Sequence, residues 1–131
     1  LYAMRDAVRT LELMIGVPYH RTVDVAPGFR ATFYEAGHIL GSASVALDVT
    51  EGGTTTRLVF SGDVGRSGLP IIRDPQPPPG AHAVIMESTY GNRDHATHGD
   101  ARAQLAAVVR DAAARGGRVL VPAFAVGRTQ E

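Results

Sequence analysis

The sequence contains no cysteine and no lysine. Without cysteine there is no disulfide framework and no thiolate-ligated zinc centre. Metal chemistry, if any, must come from histidine and carboxylates. Without lysine, all 13 cations are arginine, balanced by 13 acidic residues to a formal net charge of zero. A balanced chain has no global field drawing it to nucleic acid or a membrane, although arginine suits bidentate contacts with carboxylate or phosphate. No apolar run approaches the ~18 residues of a membrane span, and no signal peptide opens the chain. A reducing, cytoplasmic setting is the expectation. What is there is 131 residues, 44% of them hydrophobic, which is one domain's worth of chain with a usable core. Residue 1 is Leu, just ahead of a helical pattern, and the last residues read like the first turn of a helix without a body. The sequence is therefore read as an internal fragment of a longer protein.

Met4, Ala7, Val8, Leu11, Met14 and Ile15 recur at helical spacing, opposite Arg5, Arg9 and Glu12. That pattern predicts an amphipathic helix, stopped by Gly16 and Pro18. Pro27-Gly28 signals a turn. Phe29, Ala31, Phe33 and Glu35 then alternate with Arg30, Thr32 and Tyr34, which predicts a strand over about 29–36. Val45, Leu47 and Val49 continue a second strand, and Glu51-Gly52-Gly53-Thr54 turns it into a third at Arg57 to Phe60, as a hairpin. Residues 65–82, with five prolines, predict a long irregular connection. Ala83 to Met86 is continuous and apolar, the pattern of a strand buried on both faces. Leu105, Val108, Val109 and Ala112 predict a helix over about 98–115, ended by Gly116-Gly117. Val119 to Val121 predicts another buried strand. Helix followed by strand suggests the opening of a βαβ system, and the shift to Ala-rich helix after about residue 96 marks a candidate domain boundary.

Three stretches share one design, in which a metal- or proton-competent side chain sits where an apolar strand enters a glycine-containing loop. They are Glu35-Ala36-Gly37-His38-Ile39-Leu40-Gly41-Ser42-Ala43, Phe60-Ser61-Gly62-Asp63-Val64-Gly65-Arg66, and Val84-Ile85-Met86-Glu87-Ser88-Thr89-Tyr90-Gly91. Ligands gather outside the carboxyl ends of strands in α/β sheets, so His38, Asp63 and Glu87 are candidates for one site assembled from distant parts of the chain. Each also has a plainer reading. A lone histidine is usually a surface or satisfied core residue, though neutral imidazole is a good zinc ligand. Ser-Gly-Asp-x-Gly after a strand can be a simple turn, or its carboxylate can bridge two cations ~3.5–4 Å apart. Glu87 follows four apolar residues and is expected to be at least partly buried, where a carboxylate is rare unless paired or functional. It could ligate metal, orient a histidine, or anchor the next turn. His20, His82 and His98 read as solvated residues at loop and element margins, and His95 as an outside candidate near Glu87. Arg93 and Arg128 could meet phosphates, and Gly127-Arg128-Thr129 at a helix start could bind an anion.

Four stretches in this order resemble the β-CASP branch of the metallo-β-lactamase superfamily, in the group containing the cleavage-and-polyadenylation endonuclease and its bacterial and archaeal relatives. They run over Ala36 to Ala43, Ser61 to Arg66, Glu87 to Gly91 and Gly116 to Glu131. The Glu-Ser-Thr-Tyr-Gly form argues against the bacterial RNase J branch. The resemblance implies an α/β fold: part of a metallo-β-lactamase αββα sandwich over 1–96, plus the start of a β-CASP domain over 97–131. It implies His38 as a zinc ligand, Asp63 as the aspartate bridging two zinc ions, and Glu87 as the acidic residue supporting a catalytic histidine. The family's His-x-His-x-Asp-His motif is absent, so the resemblance places most ligands outside this sequence and implies that the fragment alone is inactive. The implied activity of the parent is zinc-dependent endonuclease cleavage of RNA, with 5′ exonuclease action as a further activity and DNA as the substrate of one branch. A homodimer stays open. The competing readings are a hydrolase of small esters or thioesters on the same core, and a non-catalytic RNA-processing scaffold subunit.

Overall fold

In a computed structural model of the protein, residues 2–94 and 98–123 are described. The elements in order are α1 (Met4–Glu12), β1 (Thr22–Ala26), β2 (Phe29–Glu35), β3 (Ala43–Glu51), β4 (Thr54–Phe60), β5 (Ala83–Ile85) and α2 (His98–Ala114). The strands form one sheet in the order β1-β2-β3-β4-β5. The first four pair antiparallel as a meander, and β5 joins β4 in parallel. The fold divides into two compact units, Leu1–Glu87 and Ser88–Glu131.

The β3–β4 hairpin closes on Gly52 and Gly53, at φ 56 and 80°. Two successive positive φ values match the twist of the flanking strands, and glycine takes them without a Cβ penalty. The turn fixes the register Thr50↔Thr55 and Asp48↔Arg57. Directly opposed residues lie on one face, so the Arg57 guanidinium meets the Asp48 carboxylate bidentately, at 2.6 and 2.8 Å. Asp48, Ala46 and Ser44 are the buried row of β3, and Val59 is buried on β4 opposite Ala46. A cavity of about 470 Å³ lies on this face, lined by Val59, Val84 and Met86 from the sheet side and by Pro77, Pro78 and Pro79 from the irregular connection. The alternate row of Val45, Leu47 and Leu58 is half-buried.

Helix α1 forms as predicted, with the Asp6 carboxylate accepting the Ala3 N–H at 2.8 Å across its first turn, but every residue of it is exposed. Gly116, at φ 64°, ends α2, and the Gly117 N–H returns to the Ala112 carbonyl at 2.7 Å. One strand of the sheet, β1, is not indicated by the sequence pattern. β1 is a mostly exposed edge, with no buried row to set a pattern, and it joins β2 through the turn at Gly28, φ 77°.

Two expectations are corrected. Ala83 to Met86 does hold a strand, but not one buried on both faces: Val84, Ile85 and Met86 are 61, 50 and 68% exposed. Among the described strands β5 lies at the edge and pairs with β4 alone, so this apolar run is left exposed. Val119 to Val121 forms no strand, with Leu120 89% exposed. A strand requires a neighbour to take its backbone hydrogen bonds, and no strand among the described residues pairs with it. His95 and Gly127-Arg128-Thr129 lie outside the described residues.

Candidate functional site

Strand direction determines which loops can meet. β2 and β4 are each antiparallel to β3, and β5 is parallel to β4. Hence β2, β4 and β5 all end at the same edge of the sheet. The residues that leave those ends are 36–42, 61–66 and 86–87, which carry His38, Asp63 and Glu87. The three sequence-predicted residues are thus delivered to one sheet edge.

The first two loops touch through their backbones. The Gly65 N–H donates to the Ala36 carbonyl at 2.8 Å. A Cβ on Gly65 would run into the Gly37 carbonyl, so this approach requires glycine. Gly37 lies at φ 68°, where a Cβ would also come 2.7 Å from Cδ of Pro75. The His38 loop is bonded within itself as well. Ser42 Oγ accepts the N–H groups of His38 and Ile39 at 3.0 and 3.2 Å. The Ser42 carbonyl accepts the Ala36 N–H at 3.2 Å and the Tyr19 hydroxyl at 2.8 Å. Glu35 is buried at 6% exposure, and its Oε1 accepts the Gly37 N–H at 3.0 Å.

The third loop is tied to the second. Glu87 Oε1 accepts the Val64 N–H at 2.7 Å, and the Glu87 N–H donates to Ser61 Oγ at 3.0 Å. The Ser61 N–H donates to the Ile85 carbonyl at 2.9 Å, and Ser44 Oγ donates to the Ser61 carbonyl at 2.7 Å. Glu87 is half-buried, as its position after an apolar run implies, and its carboxylate holds the backbone next to Asp63. Asp63 itself is exposed and His38 half-buried.

Among the described residues, no group of three or more His, Asp or Glu stands together as a metal cage. His20 and His82, read as solvated, are exposed and also have partners. His20 Nε2 bonds Gln76 Oε1 at 2.7 Å and its ring meets Tyr34 edge-on at 5.1 Å. His82 Nδ1 accepts the Arg57 N–H at 2.9 Å. Arg93 lies over the Tyr90 ring at 5.4 Å. Burial pushes the Tyr19 phenol above its ordinary value, and the neighbouring Glu35 carboxylate adds to the rise. The Arg57 guanidinium holds the Asp48 carboxyl below its ordinary value.

Sequence reasoning assigned no role to Glu35, Ser42 or Gly65. A signal for Glu35 existed: it continues the Phe29, Ala31, Phe33 row at period 2, so it shares their face of the strand. Ser42 and Gly65 carry no such signal, because their roles depend on where separate loops meet.

The fold and site define an α/β protein whose candidate chemistry lies at the carboxyl ends of its strands. No family model matches the sequence. The chain is 34% identical over 132 residues to Endoribonuclease YSH1 of Saccharomyces cerevisiae, with all of the chain and 16% of that relative covered. It is 39% identical over 134 residues to Transcription termination factor FttA of Methanosarcina mazei, covering 99% of the chain and 21% of the relative. To FttA of Pyrococcus horikoshii it is 35% identical, with 100% of the chain and 20% of the relative covered. The chain thus spans between 16% and 21% of the length of these curated relatives. Similarity to these relatives over its whole length supports reading the chain as a fragment of a β-CASP metallo-β-lactamase protein.

Proposed function

We propose that the protein of which this chain is a segment hydrolyses RNA phosphodiester bonds with bound zinc, cutting internally, with 5′ exonuclease action as a further activity. The observation that carries the reading is the convergence of the His38, Asp63 and Glu87 loops at one sheet edge, in a chain similar to proteins named endoribonucleases. That similarity favours RNA over small esters or thioesters as substrate. A scaffold role is disfavoured because all three side chains are present with their loops bonded together.

Imidazole and carboxylate are zinc donors, and His38 and Asp63 fit as part of a donor set. With no trio of donors among the described residues, the remaining ligands in this reading come from elsewhere in the protein. Bound zinc would lower the pKa of a water toward neutral and would place positive charge beside the phosphate oxygens. The chain's own residues do the holding. Asp63 is the proposed bridge between two metal positions. Glu87 fixes the Val64 backbone beside it and, in this reading, bonds the far nitrogen of a histidine from another segment, keeping it protonated for the leaving oxygen. Residues 1–96 belong to the lactamase-fold part and 97–131 to the start of the β-CASP part in this proposal. No helix among the described residues is long and apolar enough to cross a membrane.

Asp63→Ala in the full-length protein tests the site. A bridging ligand controls both metals, so bound zinc, measured by elemental analysis, and cleavage of labelled RNA should be lost together. Normal zinc with normal cleavage would make Asp63 a turn residue.

A further inference from the structure

Glu35 is a buried carboxylate that the proposed chemistry does not use. Taking a carboxylate out of water is costly unless it is bonded, so its placement needs a reason in the fold. Its Oε1 accepts the Gly37 N–H, which immediately precedes His38. Its backbone carbonyl accepts the Gln76 N–H at 2.8 Å. From the far side of the same loop, Ser42 Oγ takes the N–H of His38 itself and that of Ile39. The Tyr19 hydroxyl donates to the Ser42 carbonyl and lies beside the Glu35 carboxylate. Both peptide groups flanking the His38 Cα are therefore held by Ser42, through the His38 and Ile39 N–H groups, and Glu35 holds the next peptide upstream through the Gly37 N–H. A loop residue without such bonds would sample several backbone directions. Here the Cα–Cβ direction of His38 is set before any ligand arrives.

We propose that Glu35 and Ser42 are positioning residues for His38: together they fix the backbone from which its imidazole reaches a zinc ion. The inference rests on the reading of His38 as a ligand. Partners that orient a metal ligand typically change metal affinity 10–100-fold when removed, and a brace made only of backbone bonds acts by the same route.

The test uses the full-length protein and zinc itself, with affinity measured by chelator competition and ligand geometry by the visible absorption of the cobalt-substituted form. Ser42→Ala removes one atom and both bonds. It should weaken zinc binding about 10–100-fold and alter the cobalt bands. Ser42→Thr, which keeps the oxygen, should restore both. Glu35→Gln keeps an acceptor for Gly37 without the charge and should fall between the wild type and Glu35→Ala. A purely structural role would lower melting temperature and leave the cobalt bands of the folded protein unchanged; that result overturns the proposal. His38→Ala in parallel separates the two levels of inference. If it abolishes zinc binding at one site while Ser42→Ala and Glu35→Ala change nothing, the brace alone is refuted. If His38→Ala leaves zinc affinity intact, the ligand reading falls and the brace with it.

Discussion

Gly65→Ala tests whether the His38 and Asp63 loops are packed against each other. Gly65 does not lie in the left-handed region of φ, so alanine can adopt its backbone without conformational strain. Any cost must come from the new methyl group, which would occupy the space of the Gly37 carbonyl. The obstacle is backbone, in a residue with Pro75 close to its Cα, and cannot swing away as a side-chain tip could. Forcing a methyl into a packed site costs about 1–3 kcal/mol. Separating the loops also sacrifices the Gly65 N–H bond to the Ala36 carbonyl, worth about 0.5–1.5 kcal/mol. The sum, about 1.5–4.5 kcal/mol, is a large part of a domain's ~5–15 kcal/mol stability but does not exceed it. The variant should therefore fold, melt lower and hold its two loops apart.

Two other glycines calibrate the measurement. Gly80 has open space and no positive φ, so Gly80→Ala should stay within ~0.5 kcal/mol of the wild type. Gly41 has open space but lies at φ 83°, so Gly41→Ala should cost about 1–2 kcal/mol from the backbone alone. Urea unfolding of the full-length protein gives the three energies, and bound zinc and RNA cleavage give the functional consequence. The expected order of loss is Gly65, then Gly41, then Gly80, with zinc retention impaired for Gly65→Ala. A Gly65→Ala protein that unfolds with the wild type and keeps its zinc would refute the packing of these loops.

Glu87→Gln keeps the shape and an acceptor for the Val64 N–H but removes the charge; zinc content should stay near normal while single-turnover RNA cleavage slows about 10–100-fold, and loss of a metal instead would make Glu87 a ligand. Asp48→Asn should destabilise the fold by about 1–3 kcal/mol at pH 7 through the bidentate pair with Arg57. Because the folded carboxyl titrates below its ordinary value, the pair's contribution is complete above the unfolded value of ~3.9 and is lost as pH falls through the folded one. The gap between wild type and variant in acid unfolding curves should accordingly close below about pH 4, and a gap that stays constant there would rule out the ion pair as its source.

Periodicity carried most of the strands, because alternation and glycine turns are local signals. β2, β3, β4, the hairpin at Gly52-Gly53 and both helices were legible within a residue or a few of their observed ends. Burial was less legible. The apolar run Ala83 to Met86 reads as a core strand, yet burial depends on what covers a strand, and that information lies in other parts of the polypeptide. Val119 to Val121 fails for the same reason: its composition suits a strand, but strands exist only in pairs. At the site, the chemically distinctive residues His38, Asp63 and Glu87 stood out against their glycine-rich loops. The residues that hold those loops did not, since serine and glycine acquire these roles only where separate segments touch.

The Pro-rich stretch 65–82, which pattern reading treats as a mere connection, is what makes the site geometrically possible. A hairpin after β4 would have brought β5 back antiparallel and placed Glu87 at the opposite end of the sheet, about 20 Å away for a strand of this length. A parallel neighbour requires the chain to return the length of β4 before starting β5, and the segment between Phe60 and Ala83 makes that return. It does so without a helix, and its prolines limit the conformations the unfolded chain must give up. On the way it meets the His38 loop twice, through Pro75 against Gly37 and through the Gln76 N–H on the Glu35 carbonyl. It ends by pairing His82 with Arg57 in both directions, N–H to carbonyl and N–H to Nδ1, each at 2.9 Å. These bonds fix the start of β5, and with it the register Phe60↔Ile85. That register sets Glu87 opposite the Asp63 loop. A shift of one residue in β5 would move the Glu87 carboxylate away from the Val64 N–H and turn its side chain to the other face. The irregular segment therefore determines the spacing between two of the three candidate catalytic groups.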